Sequence, residues 1–159
     1  MIQRIQSIYL LIVVILSSIT LFLPWASFSS ASYWEFGYNG LWEFFQSDKT
    51  MMFEKSKQIF SPPYALTAIA AIVPVVALVS IFLYKKRILQ IRVSIFNILL
   101  MCGFYVLLAV YCFTMPDYMK TPQPQFVTAF PLVCMILTYL AIRAIKKDEE
   151  LVRSLDRLR

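Results

Sequence analysis

Long apolar runs separated by shorter polar segments dominate the chain. Four runs contain no Asp, Glu, Lys, Arg or His: Ile5 to Trp25, Tyr64 to Tyr84, Val93 to Met115 and Phe126 to Ile142. A helix needs about 20 predominantly apolar residues to cross about 30 Å of hydrocarbon. Because backbone polar groups in lipid must be satisfied within the chain, each run predicts a membrane-spanning helix. Together the four runs predict an all-α membrane protein, a four-transmembrane-helix bundle.

The ends of these runs set the predicted boundaries of a single membrane domain, residues 1–159. The expected parts are spans at about 5–25, 64–84, 93–115 and 126–144, a long outer loop at 26–63 and a cytoplasmic tail at 145–159. The first run is longer than the roughly 7 to 15 apolar residues of a cleaved signal peptide, so we expect it to remain as a span. Its end at Pro24 and Trp25 is typical of a helix that stops at the headgroup level.

Composition and charge place the chain in the membrane class and orient it. Hydrophobic residues make up 60% of the sequence and charged residues 15%, against roughly half and a quarter in soluble proteins. Of the 15 Lys and Arg residues, eleven lie on the side of the two termini, and four lie on the other side: Lys49, Lys55, Lys57 and Lys120. Since Lys and Arg accumulate in cytoplasmic loops, both termini are predicted to be cytoplasmic. The net charge of +6 therefore reflects topology and not nucleic-acid binding.

The outer loop contains a stretch that alternates with period two, "SYWEFGYNGLWEFF". It predicts a β-hairpin around Asn39-Gly40, a dipeptide that favours the positive φ angles of a type I′ turn. The expected cross-strand pairs are Tyr38 with Leu41, Phe36 with Glu43, and Trp34 with Phe45. A lone hairpin is marginal in water, so helix ends, lipid headgroups or a partner must cover its aromatic sides.

Three other segments have weaker patterns. Residues 47–60 mix Met, Phe and Ile with charged residues, which favours a short amphipathic helix at the membrane surface. Residues 115–125 are proline-rich and predict an irregular connection. The tail 145–159 has apolar residues at helical spacing and predicts an amphipathic helix that continues the fourth span. Three alternatives follow for this tail: a solvated helix along anionic lipid, a docking site for a cytoplasmic partner, or disorder.

Residue types needed for catalysis are missing or scattered. The chain has no histidine, which excludes histidine-based acid/base catalysis, metal ligation and proton relays. Cys102, Cys112 and Cys134 stand apart within predicted spans, without the paired spacing of a thiol oxidoreductase. The nine acidic residues form no compact motif for Mg²⁺. We therefore expect no enzymatic activity, no catalytic residue, no cofactor and no metal.

Polar side chains within the spans are few. Asn97, with Ser94 three residues earlier, is the most polar site. We expect intramembrane polar packing of Ser94 and Asn97, with Asn97 hydrogen-bonded to a neighbouring helix. A contact with a small ligand or a lipid headgroup is the alternative.

Two resemblances add to this picture. The ends "MIQRIQSIYLL" and "KKDEELVRSLDRLR", with four spans and a long first outer loop, resemble an uncharacterised family of small four-helix integral membrane proteins from Bacteroidetes, a domain of unknown function. This resemblance covers the whole chain and implies an inner-membrane location without an activity. A topological likeness to claudins rests on four spans, cytoplasmic ends and Gly40-Leu41-Trp42 in the first outer loop. It implies an aromatic outer surface, although the loop lacks the cysteine pair that follows this motif in claudins.

The concentration of aromatic residues in the outer loop suggests protein binding, because this residue class is enriched at interface hot spots. The predicted function is a non-enzymatic subunit or accessory scaffold of a larger envelope complex, multi-pass in the bacterial inner (cytoplasmic) membrane, bound to the lipid bilayer and to another integral membrane protein. The predicted partner-binding residues are Trp34, Phe36, Tyr38, Leu41, Trp42, Phe44, Phe45, Leu151, Leu155 and Leu158. The alternatives are that these aromatic residues only anchor the loop in the headgroups, or that the protein binds or transports a lipid or hydrophobic solute.

Overall fold

Four helices form the body of the protein. The computed structural model describes residues 3–29, 33–46, 53–60, 63–114 and 122–157. The helices are α1 (Gln3–Phe22), α2 (Tyr64–Phe82), α3 (Arg87–Thr114) and α4 (Phe130–Arg157). Both α1 and α3 pack against α2 and against α4, so the helices form a four-sided bundle. The predicted helix bundle is confirmed, and the tail continues α4 as expected.

Apolar side chains lie on the outside of the bundle as well as inside. Ile8, Val75, Leu99 and Ile136, one from each helix, are all more than half exposed. Within the described residues, α2, α3 and the segment Phe126–Glu150 are long and apolar enough to cross a membrane, and α1 has a shorter apolar stretch, Gln6–Phe22. An apolar surface all round a helix is typical of a membrane-spanning segment.

The outer loop folds into more structure than the predicted hairpin. Strands β1 (Ala26–Ser29), β2 (Tyr33–Gly37), β3 (Gly40–Gln46), β4 (Phe53–Phe60) and β5 (Pro122–Pro124) form one antiparallel sheet in the order β4-β3-β2-β1-β5. The expected surface helix at 47–60 is therefore wrong where it is described, since β4 is a strand. The irregular connection expected at 115–125 is wrong for residues 122–124, which form β5, and a 3₁₀ turn, Phe126–Ala129, follows before α4. We call the end of the bundle that carries this sheet the sheet end, and the opposite end the tail end.

The hairpin turn lies one residue earlier than predicted, and the cross-strand partners are therefore shifted by two residues: Phe36 faces Leu41 and not Glu43, and Trp34 faces Glu43 and not Phe45. Gly37 pairs with Gly40, so the two-residue turn is Tyr38-Asn39 and not Asn39-Gly40. Gly40 still has a positive φ of 100°, a conformation that glycine adopts without steric cost. The shift sets Phe36 opposite Leu41, and both side chains are fully buried, which is the physical reason for this register.

Two apolar clusters fill the bundle. The first, which we call the cap cluster, joins the sheet to the helix ends and contains Trp25, Ala26, Phe28, Trp34, Phe36, Leu41, Leu66, Ala70, Phe104 and Leu108. The second lies deeper and takes residues from all four helices: Val13, Val73, Ala77, Met101 and Cys134. The sheet and the bundle are thus packed through a shared hydrophobic core.

Candidate functional site

Trp25 is the centre of the junction between the sheet and the helices. Its side chain is fully buried, and the indole N–H donates to the carbonyl of Thr20 at 2.7 Å. The ring packs edge to face against Phe36 of β2 and Phe104 of α3, with centroids 6.0 and 5.5 Å away. Trp25 follows the end of α1 at Phe22, and its side chain lies inside the cap cluster instead of on the outer surface of the bundle.

The segment before α4 is fixed to the same tryptophan. The Trp25 carbonyl accepts hydrogen bonds from the Gln125 amide at 3.3 Å and from the Thr128 hydroxyl. The carbonyl of Thr128 in turn accepts a hydrogen bond from the Tyr105 hydroxyl at 2.5 Å, and that hydroxyl accepts one from the Leu132 amide. The segment that follows α1 and the segment that precedes α4 are therefore held together by one network of polar and aromatic contacts.

The predicted partner-binding residues divide into three groups. Trp34, Phe36 and Leu41 lie in the cap cluster, so a partner cannot reach them without displacing the sheet. Tyr38, at the hairpin tip, is 38% exposed, packs edge to face on Phe22 and accepts a bond from Thr67 at its carbonyl. The remaining residues have side chains outside the described part of the chain: Trp42, Phe44, Phe45, Leu151, Leu155 and Leu158.

The predicted polar pair inside the bundle is buried, and its two members differ. Ser94 shares a hydrogen bond of 3.0 Å with Ser80 of α2. Asn97 is 1% exposed, and neither its side-chain oxygen nor its side-chain nitrogen has a hydrogen-bond partner among the described residues. The predicted bond from Asn97 to a neighbouring helix is therefore wrong. An unpaired buried amide is costly, which makes Asn97 the most unusual residue of the interior.

A small cavity separates the cap cluster from the deeper cluster. Its volume is about 20 Å³, and it is lined by Ser17, Thr20, Ala70, Val73, Met101, Phe104 and Pro131. The two hydroxyls donate to carbonyls of their own helix, Ser17 to Val13 and Thr20 to Leu16. A space of this size admits about one water molecule, whereas small-molecule sites occupy roughly 300 to 1,000 Å³.

At the tail end, a buried carboxylate joins the tail to the bundle. Asp148 is 8% exposed, and its Oδ2 accepts a hydrogen bond of 2.6 Å from Nε2 of Gln6 on α1. The Asp148 carbonyl accepts a bond of 3.2 Å from the Arg87 guanidinium at the start of α3. With Ile145 fully buried three residues earlier, the first turn of the tail is packed onto the bundle.

Potential ligands and nucleophiles do not gather into a reactive site in the described part of the chain. No group of three or more Cys, Asp or Glu residues there is placed to hold a metal ion. All three cysteines are free thiols, with Cys134 buried and directed at the Val13 carbonyl. Cys102 lies 3.6 Å from the Met135 sulfur, a contact between soft side chains.

Sequence reasoning missed two of the contacts that define these junctions. Trp25 follows an apolar run, a position typical of an interfacial residue, but its ring contacts Phe36 and Phe104, which lie 11 and 79 residues away in the chain. Gln6 and Asp148 are 142 residues apart. One signal in the sequence indicates this pair. Gln6 and Asp148 are polar residues that lie on the apolar faces of their helices.

Comparison with known proteins gives a family and no activity. No curated protein and no solved structure matches the chain. The sequence does match the family described as Domain of unknown function (DUF4293), over residues 2–158. Because this match covers nearly all of the 159 residues, the protein belongs to that uncharacterised family.

Proposed function

We propose that the protein is a non-enzymatic, multi-pass subunit or accessory scaffold of a complex in the bacterial inner (cytoplasmic) membrane. Both termini and the tail end face the cytoplasm, and the sheet faces outward. A ring of largely exposed aromatic side chains at the sheet end supports this placement: Phe22, Tyr64, Phe113 and Phe126. Such belts are typical of a membrane–water interface, and apolar helix surface extends from the ring toward the tail end.

The fixed attachment of the sheet is the observation that carries the scaffold role. Trp25 joins α1, β2, α3 and the segment before α4, so the sheet has one position relative to the helices. A sheet held in this way presents its edges to a partner at a constant height above the membrane. No comparable feature of the described interior supports a reaction.

The two edges of the sheet differ in what they can bind. β5 carries Pro122 and Pro124, and proline at an edge opposes pairing with a further strand. β4, residues 53–60, is the other edge and contains no proline. We assign the partner contact to β4, where an extended segment of another membrane protein adds as a sixth strand. Tyr38 at the hairpin tip is an additional contact.

The alternative of a lipid- or solute-transport module has less support. It requires a cavity between helices that accepts a hydrophobic molecule. The cavity between the two apolar clusters holds about 20 Å³ and is lined mainly by core side chains. A bundle filled in this way favours a scaffold.

A single proline substitution on the β4 edge tests this function. Ser56 lies where the register of β4 against β3 shifts, between the pairs Lys55 with Phe44 and Lys57 with Glu43. Proline is tolerated at such irregularities and removes one N–H from the edge. We expect Ser56→Pro to lower recovery of cross-linked membrane partners about tenfold, as loss of a contact worth about 1.4 kcal/mol does. Ser56→Ala is the matched control and should retain them. Equal recovery from both variants, with unchanged thermal unfolding, contradicts the assignment.

A further inference from the structure

A groove between α3 and α4 at the tail end combines charged and apolar side chains. Its volume is about 420 Å³, within the range of small-ligand sites. From α3 it is lined by Ile88, Ile91 and Arg92, and from α4 by Lys146, Glu149 and Glu150. Both sets have the spacing i, i+3, i+4, which places each set on one face of its helix. The groove is thus formed by two facing helical surfaces.

The charges in this groove are ordered along the helix axes. α3 and α4 run antiparallel, since Cys102 contacts Met135 while Arg87 contacts Asp148. Arg92 and Lys146 therefore lie toward the middle of the bundle. Glu150 lies one turn farther out, about 6 Å along the axis at 1.5 Å per residue. The cations occupy the inner level of the groove and the carboxylate occupies the outer level.

The proposed membrane placement puts this groove at the headgroup level. The apolar part of α3 begins at Val93 and runs to Thr114, 22 residues that cover about 33 Å. This length matches the hydrocarbon thickness of about 30 Å. Arg92 therefore lies at the boundary of the hydrocarbon, and Glu150 lies in the aqueous part of the headgroup layer.

We propose that this groove binds the headgroup of phosphatidylethanolamine, with Arg92 and Lys146 on the phosphate and Glu150 on the ammonium group. In this lipid the phosphate is next to the glycerol and the ammonium group lies farther out, which is the order of the charges in the groove. Ile91, next to Arg92, supplies an apolar contact for the glycerol region, whereas Ile88 lies one turn farther out, at the level of Glu150. Glu149 already has an interaction within the protein, so Glu150 is the carboxylate assigned to the ligand. The proposal rests on the membrane placement and not on the partner strand.

Three lipids with the same acyl chains distinguish this site from general lipid binding. Phosphatidylcholine has the same phosphate and net charge but no N–H donor, and phosphatidylglycerol has the phosphate without a cation. We expect native mass spectrometry of the full chain, in an equimolar mixture, to show phosphatidylethanolamine retained about tenfold over the other two lipids, because hydrogen bonds to charged groups are strong. Equal retention of all three, or stronger retention of phosphatidylglycerol, overturns the proposal.

Single substitutions assign each part of the headgroup. Glu150→Gln should reduce retention of phosphatidylethanolamine to that of phosphatidylcholine, and Arg92→Gln or Lys146→Gln should reduce all three lipids. Lys147→Gln is the matched control, since Lys147 is exposed but does not line the groove. Unchanged retention in Glu150→Gln contradicts the assigned ammonium site. Recovery of the protein in the soluble cell fraction would reject the membrane placement itself, whereas membrane recovery without lipid preference rejects only the groove.

Discussion

The backbone amide of Trp25 donates to the carbonyl of Phe36 at 2.8 Å, and the rings of the same two residues pack edge to face. Phe36 also contacts Tyr111 near the end of α3, with centroids 5.9 Å apart. Main-chain and side-chain contacts therefore act together where the chain leaves α1. Three aromatic residues of the outer loop, Phe28, Trp34 and Phe36, thereby complete the core of the protein.

The first prediction concerns this contact. Trp25→Ala should lower the free energy of unfolding by about 3 to 5 kcal/mol, because it removes a fully buried aromatic side chain. Thermal unfolding in mild detergent measures the change. Phe113→Ala is the control, since Phe113 is 90% exposed, and its effect should stay within about 0.5 kcal/mol. Similar losses for both variants would show that Trp25 does not hold the sheet to the bundle.

Two glycines should respond to alanine with opposite sign. Gly40→Ala places a side chain at a φ of 100°, so we expect a loss of about 1 to 3 kcal/mol. At Gly103 a Cβ would meet its nearest neighbour, Cδ1 of Ile69, at 4.0 Å, which is ordinary contact. Gly103→Ala should therefore stabilise α3 by about 0.5 to 1 kcal/mol. Chemical denaturation of the two variants in one detergent gives the comparison, and a neutral Gly40→Ala would contradict the turn geometry.

Asn97 offers a test of the unpaired amide. Asn97→Leu replaces two buried polar atoms by apolar ones of similar size, so we expect a gain of about 1 to 3 kcal/mol in stability. Ser94→Ala should have the opposite effect, a loss of about 0.5 to 1.5 kcal/mol, because Ser80 loses its partner. Unfolding curves of both variants give the change in the free energy of unfolding for each. A destabilising Asn97→Leu would mean that the amide has a stabilising role in the native protein.

The attachment of the tail depends on Asp148. Asp148→Ala removes the acceptor of the Gln6 hydrogen bond, and we expect faster amide hydrogen exchange in α4 beyond Ile145. The local stability lost should be about 1 to 3 kcal/mol, since the donor is left buried. Lys147→Ala, at the exposed neighbouring position, should leave exchange unchanged. Identical exchange in both variants would show that the tail is held by other contacts.

The proposed orientation has its own test. A reporter fused after Arg159 or inserted at Leu89 should be cytoplasmic, and one inserted at Lys49 should be outside, because Lys and Arg are concentrated on the side of the termini. Paired reporters that are active only in the cytoplasm or only outside it make the measurement. Activity at Arg159 of the reporter that works only outside the cytoplasm would show that the orientation is opposite to the proposed one.

The sequence by itself determined the helices and the position of the hairpin. Apolar length and the absence of charge mark the four helices, since these properties depend on each segment alone. Period-two alternation located β2 and β3 for the same reason, and the tail pattern correctly continued α4. The hairpin pattern did not determine the position of the turn, because Asn39-Gly40 and Tyr38-Asn39 both give two-residue loops. The choice between them depends on which side chains reach the core.

Only the tertiary structure decided the rest. β5 pairs with β1 from a segment 96 residues later, as the contact of Ser27 with Gln123 shows, and no local pattern specifies such a partner. The burial of Trp25 and the pairing of Gln6 with Asp148 depend on distant elements in the same way. A pattern reports how a residue relates to its neighbours in the chain, whereas its burial and hydrogen bonds depend on which elements pack beside it.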